Sequence, residues 1–230
     1  VGRREHVGEV RLVVANEGDY EGGSRGFTIF NKKGEVLFEA GSDLEHQIAM
    51  HGHYPDRRNS KGNEPEGAEV KTFGDTDYIF ILSERSSVVA VYEDKATAPE
   101  FLELLPSGLS PEGIIAIPSR NLIAVANEVD LVEDGGVRSH VTIYELAEGA
   151  PSYPTIMSAR DDKGLPIGWG ALSGLAADPA KPGTLYAVND SFYGGQPTIF
   201  TIDATRKPAV ITAALPVTRN GDAAQMLDLE

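Results

Sequence analysis

Glu64-Pro65-Glu66-Gly67 and Ser110-Pro111-Glu112-Gly113 are near copies of each other, and Ala171-Leu172-Ser173-Gly174 stands in the same setting further along. Each opens an apolar stretch that closes in a polar cluster: Ser83-Glu84-Arg85, Asn127-Glu128-Val129 and Asn189-Asp190-Ser191. A second short apolar stretch follows each cluster, at residues 88–92, 141–144 and 198–202. From turn glycine to cluster acid the separations are 17, 15 and 16 residues. A near-constant offset inside units of variable spacing is the mark of stacked structural repeats.

Working outward, residues 11–15 read as a strand stopped by Asn16-Glu17-Gly18-Asp19, and residues 27–30 and 35–38 as a hairpin around Asn31-Lys32-Lys33-Gly34. This first unit has the closing half of the phrase without its opening turn, so it reads as truncated or as starting before Val1. Strands are expected at 78–82, 88–92 and 101–105 in a second unit, and at 114–117, 122–126, 141–146 and 155–157 in a third. A fourth unit places them at 175–177, 184–188, 198–202 and 209–214. The units span about 1–50, 64–105, 110–157 and 170–216, and Asp228-Leu229-Glu230 reads as the start of another. Residues 50–63, rich in His, Arg and Gly, read as a surface loop.

Four short strands in units of about 45 residues predict an all-β fold: a β-propeller, or a propeller fragment, of four-stranded antiparallel blades within a single domain. A β-sandwich with similar hairpins is the alternative, and the matched offset favours the propeller.

The chain has 230 residues, with 35 acidic and 20 basic side chains and a net charge of −15. Nucleic-acid binding needs Lys and Arg to neutralise phosphates, so this balance argues against it. The same charge suits a divalent cation or a cationic partner, and also simple solubility. Absence of cysteine excludes disulfides, thiol nucleophiles and thiolate-bound zinc. No apolar run approaches the roughly 20 residues of a membrane-spanning helix, and no signal peptide is visible. Without an initial methionine, the chain reads as a processed or trimmed product.

Several phrases carry a family resemblance: Ala15-Asn16-Glu17-Gly18-Asp19, Lys61-Gly62-Asn63-Glu64-Pro65-Glu66-Gly67, Ser83-Glu84-Arg85-Ser86, Ser110-Pro111-Glu112-Gly113 and Ala126-Asn127-Glu128. They resemble bacterial exported propeller proteins of phytase-like or alkaline-phosphatase-like type. Ala171-Leu172-Ser173-Gly174-Leu175, Asn189-Asp190-Ser191 and the closing Asp228-Leu229-Glu230 look like the esterase-like region of phytase. The resemblance implies a periplasmic or extracellular location, a phosphoester substrate, calcium as the metal, and further blades in a longer parent protein.

On that resemblance the metal ligands are expected to be Glu17, Asp19, Glu84, Glu128 and Asp190, with Arg85 contacting phosphate. The repeat itself puts Glu17, Glu84, Glu128 and Asp190 in register, where carboxylates could converge as hard oxygen donors. The competing reading is that repeated acids accept main-chain hydrogen bonds and stitch blades together. Glu66 and Glu112, each between Pro and Gly, are expected to be such structural turn acids, buried and with lowered pKa. Under that reading the chain is a non-catalytic propeller module that binds a ligand or protein.

Three other features carry less. His46, His51 and His53 with Arg57, Arg58 and Lys61 match no zinc spacing, and the acidic insertion from Asp130 to Gly136 lacks an EF-hand ladder. Ser173 does not stand in a Gly-x-Ser-x-Gly nucleophile elbow. Trp169, the single tryptophan, is expected to pack in the core.

Overall fold

The computed structural model describes residues 2–5, 10–18, 20–21, 23–55, 61–95, 97–149, 156–189 and 196–224. The fold is all-β and built from antiparallel sheets of consecutive strands. Two compact units divide it: residues 1–45 with 57–149, and residues 46–56 with 150–230.

In the first unit, β1 (Gly2–Glu5), β2 (Val10–Ala15), β3 (Phe27–Asn31) and β4 (Val36–Glu39) form a four-stranded meander. The opening unit of the repeat therefore has all four strands, with β1 supplying the one expected to be missing. A short helix, α1 (Asp43–Met50), follows. Its first turn carries Asp43 and Glu45, suited to the positive end of the helix dipole, and Leu44 and Ile48 bury one face at i,i+4 spacing. Sequence reading left this helix out because eight residues give little more than two turns of pattern.

The second sheet comprises β5 (Pro65–Phe73), β6 (Thr76–Ser83), β7 (Val88–Glu93) and β8 (Glu100–Pro106), and the third comprises β9 (Pro111–Ile117), β10 (Leu122–Asn127) and β11 (His140–Glu145). Strands β6 and β7 are apolar almost without alternation because both faces of the second sheet are covered. On one face Tyr92 meets Phe27 of the first sheet, ring centroids 4.9 Å apart. On the other, Phe73, Phe80, Leu82, Val89 and Val91 form one cluster with Ala116, Ile123 and Val125 of the third sheet.

The repeated phrase has one backbone form. Glu64, Ser110 and Ala171 are all left-handed, with φ of 51°, 52° and 44°, and each stands immediately before the strand that opens an antiparallel meander. The register then slips: Pro65 faces Ser83 while Gly67 faces Leu82, and Pro111 faces Asn127 while Gly113 faces Ala126. Glu66 and Glu112 are thus the extra residues of β-bulges. The same slip separates Leu172, opposite Asn189, from Leu175, opposite Ala187. Only Gly67 is required by space, since a Cβ there would lie 2.8 Å from the Glu112 carbonyl oxygen, whereas at Gly113 the nearest atom would be 3.6 Å away.

In the second unit, β13 (Leu172–Ala177), β14 (Thr184–Asn189), β15 (Thr198–Asp203) and β16 (Ala209–Pro216) form the expected antiparallel meander; the preceding β12 (Ile156–Ser158) joins it at the edge, parallel to β16. The strand assigned from sequence as the fourth of the third unit therefore belongs to this sheet, and the third sheet has three strands. Three residues cannot declare their partner by periodicity; here the choice goes to β16, where Ile156 packs against the cluster of Trp169, Ala187, Phe200, Ile202 and Ile211. Trp169 is core as expected: its indole N–H donates to the Met50 carbonyl at 2.9 Å. Its ring lies over Gly52, where φ is 75° and a Cβ would come within 2.4 Å of it. Residues 228–230, where a further unit was expected to open, lie outside the described residues.

Candidate functional site

The bulges and closing clusters of the first unit's three sheets put acids at matching places. Glu17 follows β2, Glu84 follows β6 and Glu128 follows β10, while Glu66 and Glu112 start β5 and β9. The Glu84 N–H donates to the Glu64 carbonyl at 2.8 Å, and the Glu128 N–H to the Ser110 carbonyl at 3.0 Å. These equivalent bonds fix each closing acid beside the opening turn of its own sheet. Side by side, the three sheets bring the acids together: the carboxyl groups of Glu64 and Glu84 lie within hydrogen-bonding reach, as do those of Glu66 and Glu112 and those of Glu112 and Glu128. Among the described residues, Glu17, Glu64 and Glu66 are the one trio of acids or histidines whose ligand atoms all lie within 4.8 Å of one another.

Two cations enter this array. Lys61 Nζ is 2.6 Å from Glu17 Oε1 and also contacts Glu64 Oε1, while Arg85 Nε contacts Glu64 Oε2. Glu64 is 2% exposed. Burial pushes its carboxyl group toward the neutral form, but the hydrogen bond from Lys61 and the charges of Arg85 and Lys61 prevail and hold it below the usual carboxylate range. The hydrogen bonds to Glu17 and Glu64 correspondingly raise the Lys61 ammonium above its ordinary value.

The remaining acids move the other way. Desolvation, then the charges of Glu84, Glu112, Glu17 and Glu64, push Glu66 up to about 7. Glu84 is raised by burial and by the neighbouring Glu64 carboxylate, against a hydrogen bond from Ser110 Oγ at 3.2 Å. Glu112 is raised by burial and by the hydrogen bond and charge of the neighbouring Glu128 carboxyl group. Six carboxyl groups thus face two cations, and the crowding raises Glu66, Glu84 and Glu112 above the usual carboxylate range.

This overturns the expectation for Glu66 and Glu112. Both residues are exposed, no main-chain N–H among the described residues donates to either, and both lean toward the protonated form. The reason is the bulge: Glu66 and Glu112 are its extra residues, outside the ladder pairing, and their carboxyl groups sit among other carboxyl groups. The asparagines beside the acids instead tie neighbouring strands within their own sheets. Asn127 Nδ2 donates to the His140 carbonyl and Thr142 Oγ1, and Asn16 Nδ2 to Thr28 Oγ1 at 2.8 Å.

Of the residues singled out from sequence, Glu17, Glu84, Glu128, Glu66, Glu112 and Arg85 gather here, and Asp19 and Asp190 lie outside the described residues. Arg85 is engaged with Glu64. Sequence reading gave Glu64 no site role and placed Lys61 only in a basic surface loop, although a signal was there: Glu64 occupies the position that Ser110 and Ala171 hold in the other copies, and so breaks the repeat's symmetry with a charge. The histidines stand elsewhere; His51 Nδ1 meets the Gln47 carbonyl at 2.7 Å and His46 Nδ1 lies 3.3 Å from Arg160 Nη1. Arg57 and Arg58 lie outside the described residues. In the acidic insertion, Asp130 Oδ1 accepts the Val132 N–H at 3.0 Å as a local turn cap.

The donor set suits a hard cation: all oxygen, with no imidazole or thiolate. Asn63, wholly buried in the turn that carries Lys61 and Glu64, adds an amide oxygen and nitrogen with no partner among the described residues. No helix among the described residues is long and apolar enough to cross a membrane.

Two family models match the chain. Residues 15–97 match the Choice-of-anchor I domain, and residues 167–230 match the Phytase-like family described as "Esterase-like activity of phytase". The resemblance to the esterase-like region of phytase thus holds over the closing segment. No curated protein sequence matches the chain. Solved structures similar to it include hydrazine synthase from Kuenenia stuttgartiensis (13% identity, TM-score 0.36, covering 83% of this chain and 43% of that one). Others are a putative 6-phosphogluconolactonase from Bacteroides uniformis (14%, 0.38, 94% and 56%) and a GH43_1 enzyme from Xanthomonas citri complexed with xylose (10%, 0.37, 93% and 72%). The chain spans about half the length of the first two of these.

Proposed function

We propose that this chain is part of an exported bacterial β-propeller whose acidic cluster holds calcium and hydrolyses a phosphoester, with further blades supplied by a longer parent protein. The observation that carries the reading is the convergence, from three successive sheets, of Glu17, Glu64, Glu66, Glu84, Glu112 and Glu128 against only Lys61 and Arg85. The phytase-like match at residues 167–230 supports the reaction class. Bound calcium would supply neutralisation of the phosphoester and polarisation of its phosphoryl oxygen. Glu17, Glu84 and Glu128 would hold it, with Asp19 and Asp190 as further ligands from the same repeated phrases. Glu66, titrating near neutral pH, is suited to accept a proton from an attacking water at its free carboxyl oxygen. Arg85 serves first as the counter-charge of Glu64, and its positive charge would draw phosphate toward the cluster.

The second reading is a non-catalytic propeller module for a ligand or protein, and the repeated Asn16 and Asn127 clasps favour it, since a scaffold needs copies. Phosphate release from phytate and p-nitrophenyl phosphate, measured with calcium and with EDTA, separates the two. The catalytic reading expects calcium-dependent turnover and a loss of about 100-fold or more in Glu66→Gln. Calcium binding with no turnover on either substrate would leave the module.

A further inference from the structure

Lys61 puts its ammonium against two acids of the cluster. Its Nζ contacts Glu17 Oε1 and Glu64 Oε1, so it lies between two of the three acids whose oxygens come within 4.8 Å of one another. The other Glu64 oxygen is taken by Arg85. The one Glu64 oxygen open to a newcomer is therefore the one under the ammonium.

The turn that delivers Lys61 is held by its own geometry. Glu64 N–H closes onto the Lys61 carbonyl at 3.1 Å, and Gly62 and Glu64 are both left-handed, with φ of 59° and 51°. A Cβ on Gly62 would come within 2.8 Å of both Arg25 Nη1 and Glu45 Oε1, themselves paired at 3.3 Å. The Lys61 ammonium stands at the end of a four-carbon stem whose rotatable bonds give it more than one position from a fixed turn backbone. The unpartnered Asn63 amide sits in the same turn, so the turn carries polar capacity that the present arrangement leaves unused.

We propose that Lys61 is a resident counter-ion of the acidic cluster, displaced when a divalent cation enters, so that it sets the site's metal affinity. The inference rests on the calcium reading above and goes beyond it, assigning regulation of that site to one side chain. A cation entering beside Glu17 and Glu64 must compete with one unit of positive charge at hydrogen-bond distance. Removing that charge strengthens binding, by roughly tenfold once solvent screening is allowed for.

The test is calorimetric titration of the protein with calcium chloride, alongside thermal melts in EDTA and in calcium, for wild type, Lys61→Met and Lys61→Arg. Lys61→Met is expected to melt lower than wild type in EDTA, to bind calcium roughly tenfold tighter, and to gain more in melting temperature from calcium. Lys61→Arg, which keeps the charge, should bind like wild type. Should Lys61→Met not fold, Lys61→Gln carries the same comparison. Acetylation of Lys61, followed by peptide mass mapping, should speed up with calcium, which a purely structural lysine would not show. Wild-type calcium binding with no gain in the Met or Gln variant, or with no change in Lys61 acetylation, overturns this inference alone. Absence of calcium binding in every variant overturns it together with the calcium reading.

Discussion

Replacing Glu66 by glutamine should stabilise the metal-free protein at pH 8 and do nothing at pH 4. Glu66 is raised from 4.5 to about 7, by desolvation and then by the charges of Glu84, Glu112, Glu17 and Glu64. A group whose folded pKa lies above its unfolded value binds more protons in the native state between those two pH values. Stability therefore falls as pH rises from about 4.5 to about 7, and the penalty is complete above that window. At about 1.4 kcal/mol per pH unit the undiminished penalty would be about 3 kcal/mol. Glu66 is exposed, so solvent screening reduces this to about 1 kcal/mol. Glutamine removes the charge and keeps the shape, and about 1 kcal/mol in a chain of this size is a rise of about 2–4 °C in melting temperature. The assay is a thermal melt followed by circular dichroism in EDTA at pH 4, 6 and 8. A Glu66→Gln variant that melts below wild type at pH 8 would show that the carboxylate is held by favourable contacts, and the account of the site's charge would be wrong. A variant that is more stable yet inactive would fit both this account and the catalytic role proposed for Glu66.

Glu64→Gln should behave in the opposite sense, costing about 3 kcal/mol at pH 7 in chemical denaturation, because it leaves Lys61 and Arg85 facing a neutral group in a buried setting. Its native carboxyl is held low, so the stability it provides is complete above its unfolded pKa and fades as pH falls through the folded one; the difference from wild type should shrink in acid. Gly52→Ala should destabilise by about 2 kcal/mol or more in the same assay, since the new Cβ would meet the Trp169 ring at a left-handed backbone position. An accompanying change in tryptophan fluorescence would locate the damage at Trp169.

How much was legible in advance depends on the range of the interaction involved. The all-β class and most of the strands were written in local apolar runs and turn residues, because backbone preference and alternation act within a few residues. The repeat was legible because each copy places an opening turn opposite its closing cluster at one register slip, so that nearly the same number of residues is needed each time. The matching places of Glu17, Glu84 and Glu128, each just past the end of a strand, followed from that spacing alone. What spacing could not supply was the partner of a three-residue strand such as β12, which only the open edge of β16 decides. Nor could it tell that Glu66 and Glu112 project from bulges into one another's field, or that Lys61 and Arg85 close on Glu64. Charge state depends on burial and on neighbours from other sheets, and those distances exist only once the sheets are packed. The sequence by itself determined which residues form strands and how the copies align; the tertiary structure decided which acids are paired, which are crowded, and therefore which one titrates near neutrality.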